Sequence, residues 1–103
     1  MQDFLFDRGT FRTEHASRYL QQLCKHFAHK TETDFDTREG RVIFAFGKVT
    51  LVATEQDLTI RAEAPTAEEL ARVRRVIDDH LVRFAFRENF DGMTWDGASS
   101  TQG

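Results

Sequence analysis

At about Thr33 the hydrophobic period of this chain switches from that of a helix to that of a strand, and at Pro65 it switches back. That double switch is the strongest constraint on the fold. Thr33, Phe35 and Thr37 alternate with Glu32, Asp34 and Asp36. Arg41 to Phe46 is rich in strand-forming residues, Val49, Leu51 and Ala53 alternate again, and so do Leu58, Ile60, Ala62 and Ala64. Side chains two apart share one face of a strand, so these runs predict four short strands. Gly40, Gly47-Lys48 and Glu55-Gln56-Asp57 read as the turns between them, giving a four-stranded antiparallel meander with one apolar face. Arg41 to Phe46 is apolar at both parities, which suits a central strand or one covered on its second face.

Either side of the meander the apolar positions recur at three- and four-residue steps. From Ala16, the residues Leu20, Leu23 and Phe27 form one stripe of a helix expected to run to about Lys30, with Thr13 as its cap. Pro65-Thr66 followed by Glu69 is a capping box, and Leu70, Val73, Ile77, Leu81 and Phe84 form the stripe of a second helix. Phe4, Phe6 and Phe11 lie around Gly9 ahead of the first helix, with Thr10 to Thr13 the end of a short first strand. Met93 to Trp95 is a candidate last strand after the Asp91-Gly92 turn. The predicted order is β-α-β-β-β-β-α. Two amphipathic helices on one face of an antiparallel sheet make a two-layer α+β sandwich, an arrangement also found in the TATA-box-binding-protein-like fold. A single domain over 1–103 is expected, with its core at about 10–96 and a flexible tail over 97–103.

Composition narrows the function. Hydrophobic residues make up 40% of the chain, with ten phenylalanines, enough apolar material for a packed core. The net charge of −3 argues against nucleic acid as a partner, since phosphate binding needs a basic face. One cysteine forms no internal disulfide, no secretion signal is evident at the N-terminus, and no apolar run is long enough to span a bilayer. A cytoplasmic location without membrane association is expected.

Polar chemistry concentrates on the two helices. At about 100° per residue, His15, Tyr19, Gln22, His26 and His29 share one flank of the first helix, and His80, Arg83 and, if the helix continues, Arg87 take the equivalent flank of the second. If these flanks face each other, the groove between them is lined by His, Tyr, Gln and Arg. One use of Lys25, His26, His29, Lys30, Arg83 and Arg87 is to surround a phosphate or carboxylate. Another is metal binding by His26 and His29 with His80 as third ligand, although structural zinc asks for four donors. The plainer account is half-exposed boundary histidines and ordinary cations at helix ends. Cys24, on the opposite side, is either a small half-buried hydrophobe or a thiolate nucleophile. The serines lack a nucleophile-elbow setting, and no phosphate-binding loop or dinucleotide fingerprint is present, so no cofactor is expected.

Across Arg18 to Lys30, and again from Asp79 to Glu88 followed by Trp95, the sequence resembles the bacterial family known as domain of unknown function 2218, over nearly all of residues 10 to 96. Phe44 to Gly47 matches the family's aromatic, glycine-containing hairpin. The resemblance implies a link to siderophore-iron handling, because related members are fused to or encoded near siderophore-interacting flavoprotein reductases. It carries over no catalytic residue, and it marks Cys24, Lys25, His26, His29, His80, Arg83 and Arg87 as family-typical polar positions.

The expectation is therefore a non-enzymatic binding or accessory domain. Its ligand-binding residues would be Tyr19, Lys25, His26, His29, Lys30, His80, Arg83 and Arg87. The ligand would be a small anion, an iron chelate or the surface of a partner protein such as a siderophore-interacting reductase. The alternative is a small metal-dependent or thiol enzyme using the His and Cys residues of the helices. A third reading, an oligomerisation or fusion module, would need an exposed Phe-rich edge over residues 1 to 11.

Overall fold

A computed structural model describes residues 4–100. The elements run β1 (Leu5–Arg12), α1 (Ala16–Phe27), β2 (Glu32–Phe35), β3 (Glu39–Phe44), β4 (Gly47–Ala53), β5 (Asp57–Ala64) and α2 (Ala67–Phe84). A 3-10 turn (Phe86–Glu88) and the two-residue strands β6 (Thr94–Trp95) and β7 (Ser99–Ser100) follow. Every strand pairing is antiparallel. The order across the sheet is β2-β3-β4-β5-β1-β6, with β7 also on β1.

The four-strand meander is present, with the expected parity in β3 to β5, whereas in β2 Phe35 is exposed and Thr37 falls in the following turn. Val42, Val49, Leu51, Leu58, Ile60 and Ala62 are fully buried on one face, and Leu20 and Leu23 of α1 with Leu70, Val73, Ile77 and Leu81 of α2 close over them. Fully burying one such side chain stabilises the fold by about 1.5–3 kcal/mol, so this single cluster holds the two layers together. The outer sheet face carries Arg41, Ile43, Thr50, Val52 and Arg61, all exposed. β3 therefore lies inside the sheet with its second face open.

Two glycines expected in turns lie within strands instead. Gly40 pairs with Phe35 and Leu51, and a Cβ there would come within 2.8 Å of the Cys24 sulfur. Gly47 pairs with Phe44 across the two-residue loop Ala45-Phe46, and its missing Cβ would strike the Glu63 carbonyl at 2.5 Å. Close packing, not turn conformation, requires glycine at both. The real β2–β3 turn is built on Asp36, whose carboxylate accepts from the Arg38 and Glu39 N–H groups at 2.7 and 2.8 Å.

Both helices begin as the residue types allow. Thr66 Oγ1 accepts from the Glu69 N–H at 3.1 Å, while the Glu69 carboxylate takes the Thr66 hydroxyl proton rather than its N–H. At α1 the N-cap is His15 with no side-chain bond, and Thr13 Oγ1 accepts from the His15 N–H at 3.1 Å just outside the helix. α1 also stops at Phe27, short of Lys30. The Thr31 N–H and hydroxyl both bond the Phe27 carbonyl, at 3.0 and 2.7 Å, and turn the chain into β2.

β1 ends at Arg12, within the Thr10–Thr13 segment expected to close the first strand, and is paired along its whole length from Leu5 with β5. Its other edge takes Trp95 opposite Gly9 and Ser99 opposite Phe6, so part of the expected tail adds to the sheet. Residues 101–103 lie outside the described residues, as do residues 1–3 of the Phe-rich start. Asp78 of α2 anchors this end by accepting from the Met93 N–H at 3.0 Å and the Trp95 indole N–H at 2.9 Å.

Candidate ligand-binding cleft

The same-handed flanks of α1 and α2 face each other. His26 lies on α1 seven residues after Tyr19 and four after Gln22, the spacing that keeps all three on one side of a helix. Opposite it, His80 of α2 brings its Nε2 to 3.1 Å from His26 Nε2. His80 Nδ1 lies 2.7 Å from the Val76 carbonyl oxygen, which can only accept. Nδ1 therefore carries the proton in neutral His80, Nε2 presents its lone pair, and His26 donates from its own Nε2–H.

Aromatic rings frame the pair. The Phe27 ring centroid is 4.9 Å from that of His80, and Phe84 lies 6.1 and 6.2 Å from His26 and His80. Phe44 continues the cluster at 5.2 Å from Phe27 and stacks on Phe46, whose other face receives the Arg72 guanidinium at 4.0 Å. Partial desolvation lowers the pKa of His26 from its ordinary value, and the charges of His80, His29, Arg83 and Lys30 push the same way. His26 therefore lies in a cationic field.

From this end a cleft of about 580 Å³ runs along the α1 flank towards the 3-10 turn, lined by His15, Arg18, Tyr19, Gln22, Phe84, Phe86, Arg87 and Glu88. Phe84 belongs to both regions. At the far wall the Glu88 carboxylate accepts the hydroxyl protons of Tyr19 and of Thr13, the latter at 2.8 Å. Burial raises the Tyr19 pKa to about 12, helped by the bond to Glu88 and its charge. Burial acts to raise the Glu88 pKa too, but the two hydroxyls and the nearby charges of His15 and Arg18 outweigh it and hold the carboxyl below its ordinary value. Around neutral pH this is a carboxylate held by two neutral donors. Arg18, Arg83 and Arg87 enter no ion pair among the described residues.

The predicted site residues divide accordingly. Tyr19 and Arg87 line the cleft, and His26 and His80 meet beside Phe84, outside its lining, with Arg83 close enough to act electrostatically on His26. His29 and Lys30 lie past the end of α1, exposed, so helix periodicity does not place them, although their charges reach His26. Arg87 sits in the 3-10 turn, not on a continued α2. Lys25 is exposed and turned about 100° from His26. Cys24 is fully buried, and burial pushes its thiol up to about 11, which removes it as a thiolate nucleophile. Arg18, Phe84, Phe86 and Glu88 are cleft residues that sequence reasoning did not assign to the site, and Thr13, expected as a helix cap, supports Glu88 from behind. For Arg18 a signal existed, since it precedes Gln22 by four residues.

A larger, open hollow of about 1080 Å³ lies elsewhere, between the start of α1 and the β2–β3 and β4–β5 turns. Its turn residues already satisfy one another, as with Asp36 above and Thr54, whose hydroxyl accepts from the Gln56 and Asp57 N–H groups. Its one arginine, Arg38, lies among five acidic residues, whereas the α1–α2 cleft sets Arg18 and Arg87 against a single carboxylate, Glu88.

Fold and cleft together define a two-layer α+β domain with a polar groove between its helices. The chain belongs to the family of uncharacterized proteins conserved in bacteria (DUF2218), whose model matches residues 8–96. It is similar to the NMR structure of PA4090 from Pseudomonas aeruginosa, at 30% identity over 93% of this chain and 96% of that one, with a TM-score of 0.71. Comparison with curated proteins gave no match. Among the described residues no helix is long and apolar enough to cross a membrane.

Proposed function

We propose that the protein is a cytoplasmic, non-enzymatic binding domain that takes a small anion with an aromatic or apolar part into the α1–α2 cleft. The observation that carries this reading is the pairing of unpaired arginines with aromatic walls. Arg18 and Arg87 line the same cleft as Phe84 and Phe86, and its volume of about 580 Å³ suits a small molecule. Arginine gives a forked contact to carboxylate or phosphate, and the rings supply apolar area for the rest of the ligand. The cationic field around His26 extends the same preference to the inner end of the groove. The Glu88 carboxylate is taken up by Thr13 and Tyr19 and so competes weakly for the arginines.

The family resemblance favours the acidic ligands of iron chelates within this class, and a siderophore-interacting reductase as partner. The test uses 2,3-dihydroxybenzoate as probe, titrated calorimetrically into the protein. A charge-assisted contact contributes about 1.5–3 kcal/mol, so Arg18→Ala and Arg87→Ala should each weaken binding by about ten- to a hundredfold with the melting temperature preserved. Absence of binding, or an affinity in both variants unchanged from that of the unsubstituted protein, sinks the proposal.

A further inference from the structure

We propose that His26 and His80 form the protein's half of an open transition-metal site, with both Nε2 atoms as adjacent ligands. The separation of the two ring nitrogens is that of two donors on one ion, reached once small ring rotations turn their lone pairs from each other to a shared point. With metal–nitrogen distances of about 2.0–2.1 Å, neighbouring ligands at 90–109° are roughly 2.9–3.3 Å apart, and the two Nε2 atoms are 3.1 Å apart. They come from different helices, 54 residues apart in the chain, and meet without a change of backbone.

The orientation of His80 is a second, independent observation. Its Nδ1–H is held by the Val76 carbonyl at 2.7 Å, the outer-shell bond that metal-ligating histidines use to fix tautomer and aim the opposite lone pair. Phe27 and Phe84 limit the motion of both rings. In the metal-free protein one proton occupies the position between the two nitrogens. Metal binding transfers that proton from His26 Nε2 to its own Nδ1, and both Nε2 lone pairs then point at the ion.

No third His, Cys, Asp or Glu joins them among the described residues, which rules out a closed structural zinc site there. An imidazole pair suits copper, nickel or zinc and leaves the remaining positions to water or exogenous donors. Arg83 and Lys30 disfavour a bare dication and favour a metal that already carries an anionic chelator. This goes beyond the anion reading and does not depend on it, because the test varies histidines, not Arg18 or Arg87.

The experiment titrates untagged protein with Cu²⁺ or Ni²⁺ alone and with the Ni²⁺–nitrilotriacetate complex, which is anionic and has two adjacent open positions. One equivalent of the complex should bind, and His26→Ala and His80→Ala should each weaken it by about tenfold or more. The double variant should lose saturable binding altogether, and Glu55→Gln in the β4–β5 turn should leave affinity unchanged. Absence of saturable binding, or a loss in Glu55→Gln equal to that in His26→Ala, overturns the site. Should His80→Ala disturb α2, electron paramagnetic resonance of the Cu²⁺ form decides. Two coupled imidazole nitrogens support the site, and one or none overturns it.

Discussion

Arg74 on α2 places its guanidinium 2.6 Å from the carboxylate of Asp7, a fully buried acid on β1. The second Asp7 oxygen accepts from the Gly97 N–H at 2.8 Å and from the Arg8 N–H at the same distance. One side chain thus joins β1, α2 and the C-terminal segment. Removing one partner of a buried pair is strongly destabilising because the other charge is left behind, though the partial exposure of Arg74 softens the effect. Arg74→Ala should cost about 2–3 kcal/mol, read as a lower urea midpoint at unchanged slope.

A second prediction concerns the contact between Gly40 and Cys24. The added methyl of Gly40→Ala meets the sulfur at 2.8 Å and should destabilise by about 1–3 kcal/mol. Cys24→Ala removes the obstructing atom, so the double variant should be more stable than the sum of the single effects predicts. A double-mutant cycle by thermal denaturation measures that coupling. Additive losses would mean that Phe35 or Leu20, the next neighbours at 3.3 and 3.4 Å, sets the strain instead.

The Tyr19–Glu88 bond makes stability depend on pH at both extremes. Glu88 has a lowered pKa in the folded state, so its contribution is present above the unfolded carboxyl value and fades as pH falls through the folded one. Tyr19 has a raised pKa, so its contribution is complete below pH 10 and fades as pH rises towards about 12. Urea unfolding across both ranges should show two declining limbs. Glu88→Gln should flatten the acid limb, and Tyr19→Phe the alkaline one.

Cys24 should behave as a core residue. With its sulfur buried and its pKa at about 11, it should react with a disulfide reagent only as fast as the protein opens. Rapid labelling of the folded protein at neutral pH would contradict its position on the buried face of α1.

What the residues made legible follows their periodicity. The β2 to β5 meander and both helix stripes were readable because alternation and 3.6-residue recurrence are local signals, and the Thr66 cap was readable because its partner is three residues away. The facing of His26 and His80 was conditional on how the helices pack, which no local pattern states. Gly40 and Gly47 misled because a glycine that admits a neighbour's atoms looks, in sequence, like one that admits a turn. Glu88 escaped notice because it acts from a 3-10 turn, where helical spacing no longer applies, and its partners Thr13 and Tyr19 belong to the opposite end of the chain. The end of α1 was set by Thr31, whose hydroxyl competes for a helix carbonyl.

The interior place of β1 bears on the order of synthesis. This strand leaves the ribosome before the rest of the sheet, yet among the described residues its hydrogen-bonding partners come from the later strands β5, β6 and β7. The meander and α1 can associate early through nearby contacts, whereas the segment that completes the sheet must wait as an unpaired strand carrying Leu5, Phe6 and Phe11. Non-local pairing of this kind slows closure and prolongs exposure to aggregation. A nascent chain halted after Ala64 would hold the full pairing surface of β5 but lack α2 to cover it. Completion of the sheet is therefore tied to the emergence of β5, and a strand made before α1 is locked in place only after β4.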